Sequence, residues 1–446
     1  MGWIYWFSWA MTFALELTAV GLIIQYWNKD LSIGIFIAVS WVVITLFNFL
    51  PVGFYGELES GLSMIKIITI VGFMIFACFI DGGIGGREKL GAKYWSNPGA
   101  FASYLVPGAL GKFVGFWAVL VQAGFAFQGT ELVGIAAGET KNPGKEVPAA
   151  VKWTFFRIVF FFIGTIIFIG LLIPYDNPDL LSDETDATAS PFVIAAKLAG
   201  VRYLPGIING VLLTVVLSAA NSNVYSGSRI LKGLSDDGFA PKWLGKTFKW
   251  NLKNAQKTKR GAEACDEGVI EVNTEDGRVP YYAVICTSIL GLIAFLNLSA
   301  TGGQVFNWLL NITAIAGFIT WTSINLCHIF FMRALAAQNI SRDTMPFRAL
   351  WQPFLAYYGL FWNIMIIMTN GFTSFIGTFS IPDFFAAYIS LILFAIMYIG
   401  HKLVTKSKFV KSSEVDLVEG RLPEWDSAPL LAPKTSIWRK SVSWIM

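Results

Sequence analysis

The sequence predicts an all-α integral membrane protein with about ten transmembrane helices, and three observations carry that prediction. The chain of 446 residues is 55% apolar and only 14% charged, with a mean hydropathy of +0.59. Its apolar residues fall into long runs separated by short polar breaks, and Trp and Tyr gather near the run ends (Tyr26-Trp27, Tyr94-Trp95, Trp153, Tyr281-Tyr282), as an interfacial belt requires. A soluble domain is roughly a quarter charged, and surface-to-volume scaling limits how much apolar excess a globule can bury. The composition therefore excludes an ordinary cytosolic enzyme and a disordered chain. A formal charge of +4, scattered along the chain, is too small for a nucleic-acid binder. Cys78, Cys265, Cys286 and Cys327 lie far apart, with only His328 and His401 for company, so neither a disulfide frame nor a metal site is expected. Nor does any cofactor motif or catalytic set appear, and no enzyme is expected.

A bilayer core about 30 Å thick takes roughly 20 apolar residues of helix. In chain order the candidate spans are Trp3–Trp27, Ser32–Leu50, Gly61–Ile80, Leu110–Ile135 and Thr154–Ile173, then Gly206–Ser226, Tyr281–Leu298, Val305–Phe331, Phe354–Ile376 and Phe384–Val404. Turn formers stand between them, including Gly82-Gly83-Ile84-Gly85-Gly86, Asn142-Pro143-Gly144, Pro174-Tyr175-Asp176 and Asn177-Pro178. Backbone polar groups cannot stay unpaired in lipid, so uninterrupted runs of this length read as helices.

Lys and Arg orient the bundle. With the N-terminus cytoplasmic, the inner loops hold Lys141, Lys145, Lys152 and Arg157, Lys232 through Arg278, Arg333, Arg342, Arg348 and a basic tail. The outer face keeps Lys29, Arg87, Lys89, Lys93, Lys112, Lys197 and Arg202. This bias places both termini inside. The expected organisation is a transmembrane domain over 1–410, a long polar cytoplasmic loop insert over 251–278, and a cytoplasmic C-terminal tail over 411–446. The acidic outer loop (Asp176, Asp179, Asp183, Glu184, Asp186) reads either as a solvated loop or as a cation attractor. Asn297-Leu298-Ser299, at an outer helix end, matches a glycosylation sequon, but one that lies close to the bilayer for an acceptor.

Ionisable groups inside a span carry functional hypotheses. Ser8, Thr12 and Glu16 recur every four residues on one face of the first span, lining either a polar cavity or a neighbouring helix. In the fourth span, Phe125-Ala126-Phe127-Gln128-Gly129-Thr130-Glu131 interrupts an apolar run with residues that support either a tolerated kink or a true break. A true break would expose backbone groups able to grip a substrate's charged ends. Lys66 either snorkels to the cytoplasmic interface or places an ammonium where a coupling cation would otherwise bind. Ser218, Asn221 and Ser222 cluster near the inner end of the sixth span as a candidate cation site, and Thr313 stands among small residues in the eighth.

Five stretches together resemble the fungal amino acid permeases of the amino acid–polyamine–organocation superfamily. They are Gly2–Trp27 (GWIYWFSWAMTFALELTAVGLIIQYW), Asn48–Glu59 (NFLPVGFYGELE), Phe125–Val147 (FAFQGTELVGIAAGETKNPGKEV), Ser218–Leu231 (SAANSNVYSGSRIL) and Trp308–Phe318 (WLLNITAIAGF). Ser8, Thr12 and Glu16, with Leu309–Gly317, most resemble the basic amino acid permeases for arginine, lysine and histidine. The resemblance implies a fold of two inverted five-helix repeats (LeuT-like), of which this chain resembles helices 3–12. The two helices before these, with a glycine-rich break that holds the substrate's α-carboxylate, are expected to be missing.

The resemblance further implies import of amino acids, cationic ones favoured, by proton symport and alternating access at the plasma membrane. Glu16 would pair with the substrate's side-chain cation, and Ser8, Thr12 and Thr313 would shape the side-chain pocket. Phe125, Ala126, Phe127, Gly129 and Thr130 would form the second broken helix, its carbonyls facing the α-ammonium and Phe127 acting as a lid. Lys66 matches the lysine that replaces a sodium site in proton-coupled relatives and would couple protons, with Glu16. No span offers a deep Arg or Lys partner for Glu16, which leaves that place to a substrate cation. The partners expected are thus the amino acid, protons and the lipid bilayer. Other readings are a broader-specificity or neutral permease, a non-transporting sensor of the same fold, and a non-functional truncated form.

Overall fold

The computed structural model describes residues 1–84, 88–136, 143–180, 190–201, 203–249, 278–298, 302–342, 345, 349, 351–376 and 378–417. Its helices are α1 (Gly2–Ile24), α2 (Ile33–Phe47), α3 (Val52–Asp81), α4 (Gly108–Ala118), α5 (Leu120–Ala126), α6 (Leu132–Ala136) and α7 (Pro143–Arg157). Then follow α8 (Gly164–Leu172), α9 (Pro191–Leu198), α10 (Leu204–Asp236), α11 (Tyr281–Gly291), α12 (Gly302–Ala337), α13 (Phe354–Thr369) and α14 (Ile381–Thr405). Eight helical stretches among the described residues are long and apolar enough to cross a bilayer. Two of the ten expected spans are shorter. Helix α2 has 15 residues, about 22 Å at the usual rise, and α13 has 16 before tightening into a 3₁₀ turn at Asn370–Phe375.

Other helices overrun their expected bounds. Helix α3 starts at Val52 behind Pro51, not at Gly61, and α10 continues to Asp236 beyond Ser226. Hydropathy marks where lipid begins, whereas i→i−4 bonding continues into water whenever the residues tolerate it. The extension of α3 matters below, because it puts Glu59 and Lys66 on one helix.

The chain forms two compact bodies. The larger comprises Gly2–Val119 and Phe161–Thr313. At its centre stands α1, which is apolar except for its Ser8, Thr12 and Glu16 face and Thr18, and which buries Ala10, Phe13, Ala14, Leu15 and Leu17. It packs most extensively along α10, and also on α2, α11 and the 3₁₀ turn Leu292–Leu298. Lipid tails are as apolar as leucine, so helices associate here by close fit rather than by escape from water. A Cβ on Gly227 would stand 2.7 Å from Thr287 Cγ2, so that glycine lets α10 meet α11. Gly227→Leu is therefore expected to lower stability by about 1–3 kcal/mol through overpacking. Thermal unfolding of the detergent-solubilised chain checks this; an unchanged midpoint would refute it.

Polar ties cross the same interfaces. Trp6 Nε1 donates to Thr287 Oγ1 at 3.0 Å, and Trp41 Nε1 to the Ser288 carbonyl at 2.7 Å. Asn297 Nδ2 donates to Thr18 Oγ1 at 2.9 Å. This buried engagement sides with the reading that the Asn297 sequon is not an acceptor: the amide that glycosylation would need holds α1 instead. Helix α3 rests on α8 and α10, with Phe73 and Ala77 against Leu172, Ile173 and Ile194. The outer faces carry Ile35, Val39, Leu46, Met64 and Ile68, each more than a third exposed, as lipid-facing side chains are.

The smaller body contains Leu120–Phe160 and Ala314–Met446, so α12 contributes its first part to one body and the rest to the other. Here Tyr388 of α14 donates to the Met368 carbonyl at 2.9 Å and accepts from the Gly371 amide at 3.2 Å. The described start of the tail lies on the end of α12, where Gln338 Nε2 donates to the Val415 carbonyl at 2.7 Å and Leu417 packs on Ala334 and Leu335. Residues 250–277, nearly all of the expected insert, and 418–446 fall outside the described residues. A two-residue antiparallel ladder, β1 (Phe248–Lys249) with β2 (Arg278–Val279), brackets the insert, so the chain leaves and returns at one place.

Candidate functional site

Two groups of residues stand out, one in each body. In the larger body, α1 presents Ser8, Thr12 and Glu16 on one face. Ser8 and Thr12 are buried, and Thr313 fully so. Ser8 Oγ donates to the Thr313 carbonyl at 3.4 Å, which brings α1 and the first part of α12 together. The Thr12 hydroxyl donates to the Ser8 carbonyl at 2.8 Å, and Thr313 Oγ1 to the Leu310 carbonyl at 3.0 Å. These three hydroxyls spend their protons on backbone carbonyls, which leaves oxygen lone pairs as what they offer a ligand. Glu16, two turns beyond Ser8, keeps part of its surface open and, among the described residues, makes no ion pair.

Glu16 does have a cationic neighbour, since Lys66 of α3 lies close enough for its charge to act on Glu16. The expectation that no span supplies one is corrected to that extent. The ammonium itself, however, is bound elsewhere. Lys66 Nζ lies 3.1 Å from Glu59 Oε1 and donates to Ser218 Oγ at 2.7 Å. The Ser218 hydroxyl in turn donates to Glu59 Oε2 at 2.6 Å. Lys66 is thus received by protein groups, not left to reach the interface. The sequence analysis does not single out Glu59, because the apolar span it reads begins only at Gly61; the seven-residue spacing to Lys66, two helical turns, was the available signal.

The remaining polar residues of the α10 cluster divide among separate partners. Asn221 Oδ1 accepts from Asn48 Nδ2 at 2.8 Å, and Ser222 Oγ from Tyr55 OH at 2.9 Å. Tyr55 also stacks on Tyr225 at 4.0 Å, whose ring lies under the Arg229 guanidinium at 3.7 Å. Ser218, Asn221 and Ser222 therefore form one polar seam of α10 facing α2 and α3, each held by a different side chain.

In the smaller body the chain breaks between α5 and α6. Residues 127–131 leave the helix, and Gly129 has φ +89°, a conformation that L side chains rarely adopt. Phe125 and Ala126 end α5; Phe127 is about a third exposed; Thr130 follows the glycine. Among the described residues the amides of Gly129 and Thr130 donate to no backbone carbonyl, and the Ala126 carbonyl accepts from no backbone amide. Such groups persist at membrane depth only where they face protein or a cavity. Two side chains pin the break to α12: Gln128 Nε2 donates to the Ala314 carbonyl at 3.3 Å, and Glu131 Oε2 accepts from Trp321 Nε1 at 3.1 Å. Gly317 makes room for the Gln128 amide, which a Cβ there would strike. Gln128 and Glu131 were legible as polar residues of the interruption, but their partners on α12, the Ala314 carbonyl and Trp321, were not.

Apolar helices, one span interrupted at a glycine, and ionisable groups within the spans are together the construction of a membrane carrier. The chain belongs to the amino acid permease family, whose profile matches residues 1–252 and 273–414. It is 41% identical over 94% of its length to a basic amino-acid permease of Saccharomyces cerevisiae, covering 69% of that protein. It is also 41% identical to a lysine/arginine permease of Candida albicans, over 90% of this chain and 65% of the relative. A proline-specific permease of Emericella nidulans is 38% identical over 94% of this chain and 73% of its own length. The chain spans about two thirds of the length of these curated relatives. The family match leaves out residues 253–272, within the expected insert.

Proposed function

We propose that this protein imports amino acids, cationic ones preferred, by proton-coupled alternating access. The observation that carries the reading is Glu16, a carboxylate within a span, partly open, and without an ion-pair partner among the described residues. A carboxylate without an ion pair at that depth is costly, and a substrate's guanidinium or ammonium would neutralise it. Ser8, Thr12 and Thr313 would bound the side-chain pocket. The break at Phe125, Ala126, Phe127, Gly129 and Thr130 would supply carbonyls to the α-ammonium, with Phe127 as lid. Lys66, with Glu16, would carry the proton coupling, and Ser218, Asn221 and Ser222 would mark the place a coupling cation takes elsewhere. The proposed organisation is a permease unit over 1–410 of a plasma-membrane protein, with a cytoplasmic insert over 251–278 and tail over 411–446; the Lys and Arg bias of the loops supports both termini facing the cytoplasm.

The proline-specific relative favours one second reading, a permease for neutral amino acids. Uptake of labelled arginine, lysine, leucine and proline in a permease-deficient cell separates the two. Arginine and lysine are expected to enter at least about tenfold faster than leucine or proline, the minimum for one unpaired charge in the site. Equal rates would reject the cationic preference, and uptake that survives collapse of the pH gradient would reject proton coupling.

A further inference from the structure

Lys66 reaches Glu59 because side chains on a helix lean toward its N-terminus, so a lysine two turns on points back over the earlier residue. The pair lies on α3, and α10 closes it into a ring. The ammonium donates to Glu59 Oε1 and Ser218 Oγ, and the serine donates to Glu59 Oε2, so both carboxylate oxygens are engaged. Lys66 and Glu59 keep 25% and 23% of their side-chain surface, so the ring is largely withdrawn from solvent. Among groups facing it, α8 has no titratable residue and α1 presents Glu16. Tyr55, one turn before Glu59 on the same seam, donates to Ser222, Glu57 on α3 is exposed, and Tyr225, Arg229 and Lys232 of α10 lie two turns or more beyond Ser218. Glu59 alone is thus ion-paired to Lys66 among the described residues.

We propose that Glu59 is a positioning residue for proton coupling: bridged by Ser218, its carboxylate holds and neutralises the Lys66 ammonium at the α3–α10 seam. The proposal rests on the transport reading of Lys66 above. Its consequence is selective. Substrate exchange across the membrane needs no net proton movement, whereas accumulation against a gradient does. Losing the carboxylate therefore lowers accumulation relative to exchange, which a general packing defect would not do.

The test uses the full chain in proteoliposomes and measures pH-gradient-driven accumulation of labelled arginine beside arginine–arginine exchange. Glu59→Gln is expected to lower the ratio of accumulation to exchange by about tenfold, the scale of losing one partner of a charge-assisted contact. Glu59→Asp should restore much of that ratio, and Glu59→Gln with Lys66→Met should do no worse than Lys66→Met alone. A ratio unchanged in Glu59→Gln overturns the proposal. If that variant fails to fold, Ser218→Ala removes the bridge without removing a charge, and an unchanged ratio there overturns it equally. A parent that exchanges none of the four amino acids rejects the transport reading instead. Melting of the four solubilised forms (parent, both single variants, the double) then decides whether the ring exists: additive effects of Glu59→Gln and Lys66→Met would overturn it, and coupled effects support it.

Discussion

Glu16→Gln is expected to reduce arginine uptake by roughly thirtyfold to several thousandfold, the range for removing one partner of a desolvated ion pair at about 2–5 kcal/mol. The amide keeps the size of the carboxylate and removes only its charge, so packing of α1 against α10 and α11 is preserved. Glu16→Asp keeps the charge and should retain measurable uptake at a weaker apparent affinity. The measurement is initial-rate uptake of labelled arginine, normalised to surface protein. If Glu16→Gln transports arginine like the parent, Glu16 does not bind the substrate cation. Lys66 does not substitute for that cation, because its ammonium is committed to Glu59 and Ser218.

Replacing Gly129 has the second largest expected effect. At φ +89° a side chain with a Cβ is strained by about 1–2 kcal/mol, and a β-branched one by more. Gly129→Val therefore drives the segment toward continuous helix, in which the Ala126 carbonyl and the Thr130 amide pair with each other and are lost to a ligand. Uptake is expected to fall by at least about tenfold, with the protein still reaching the membrane. Gly134→Ala is the control, since a Cβ there meets nothing within 4 Å. Comparable losses in both variants would show that the turn at Gly129 has no special part in transport.

Much of the architecture was legible because membrane solvation acts on short range. Each span had to be apolar along its length and helical within itself, and both properties are local. The interruption at Gly129 was visible for the same reason: glycine beside glutamine, threonine and glutamate weakens a helix wherever it is placed. What failed was the ends of elements. The stretch Gly53–Glu59 falls between the expected spans because its two glutamates and two glycines lower its hydropathy, yet it is the first part of α3, so Glu59 was overlooked. Asn297 matches a sequon at a helix end close to the bilayer, and its amide proved to be spent on Thr18.

The sequence by itself thus determined that this chain lives in a bilayer as a set of helices, where one helix is weakened near Gly129, and which few ionisable groups lie within them. Those properties follow from composition and spacing within single segments. Only the tertiary structure decided which of those groups meet. The closure of the Lys66–Glu59 pair by Ser218, and the pins of Gln128 on the Ala314 carbonyl and of Trp321 on Glu131, join groups far apart in sequence. Hydropathy ranks residues by their affinity for lipid and carries no information on which helix faces which. That pairing depends on close fit between helix surfaces, which exists only once the helices have packed.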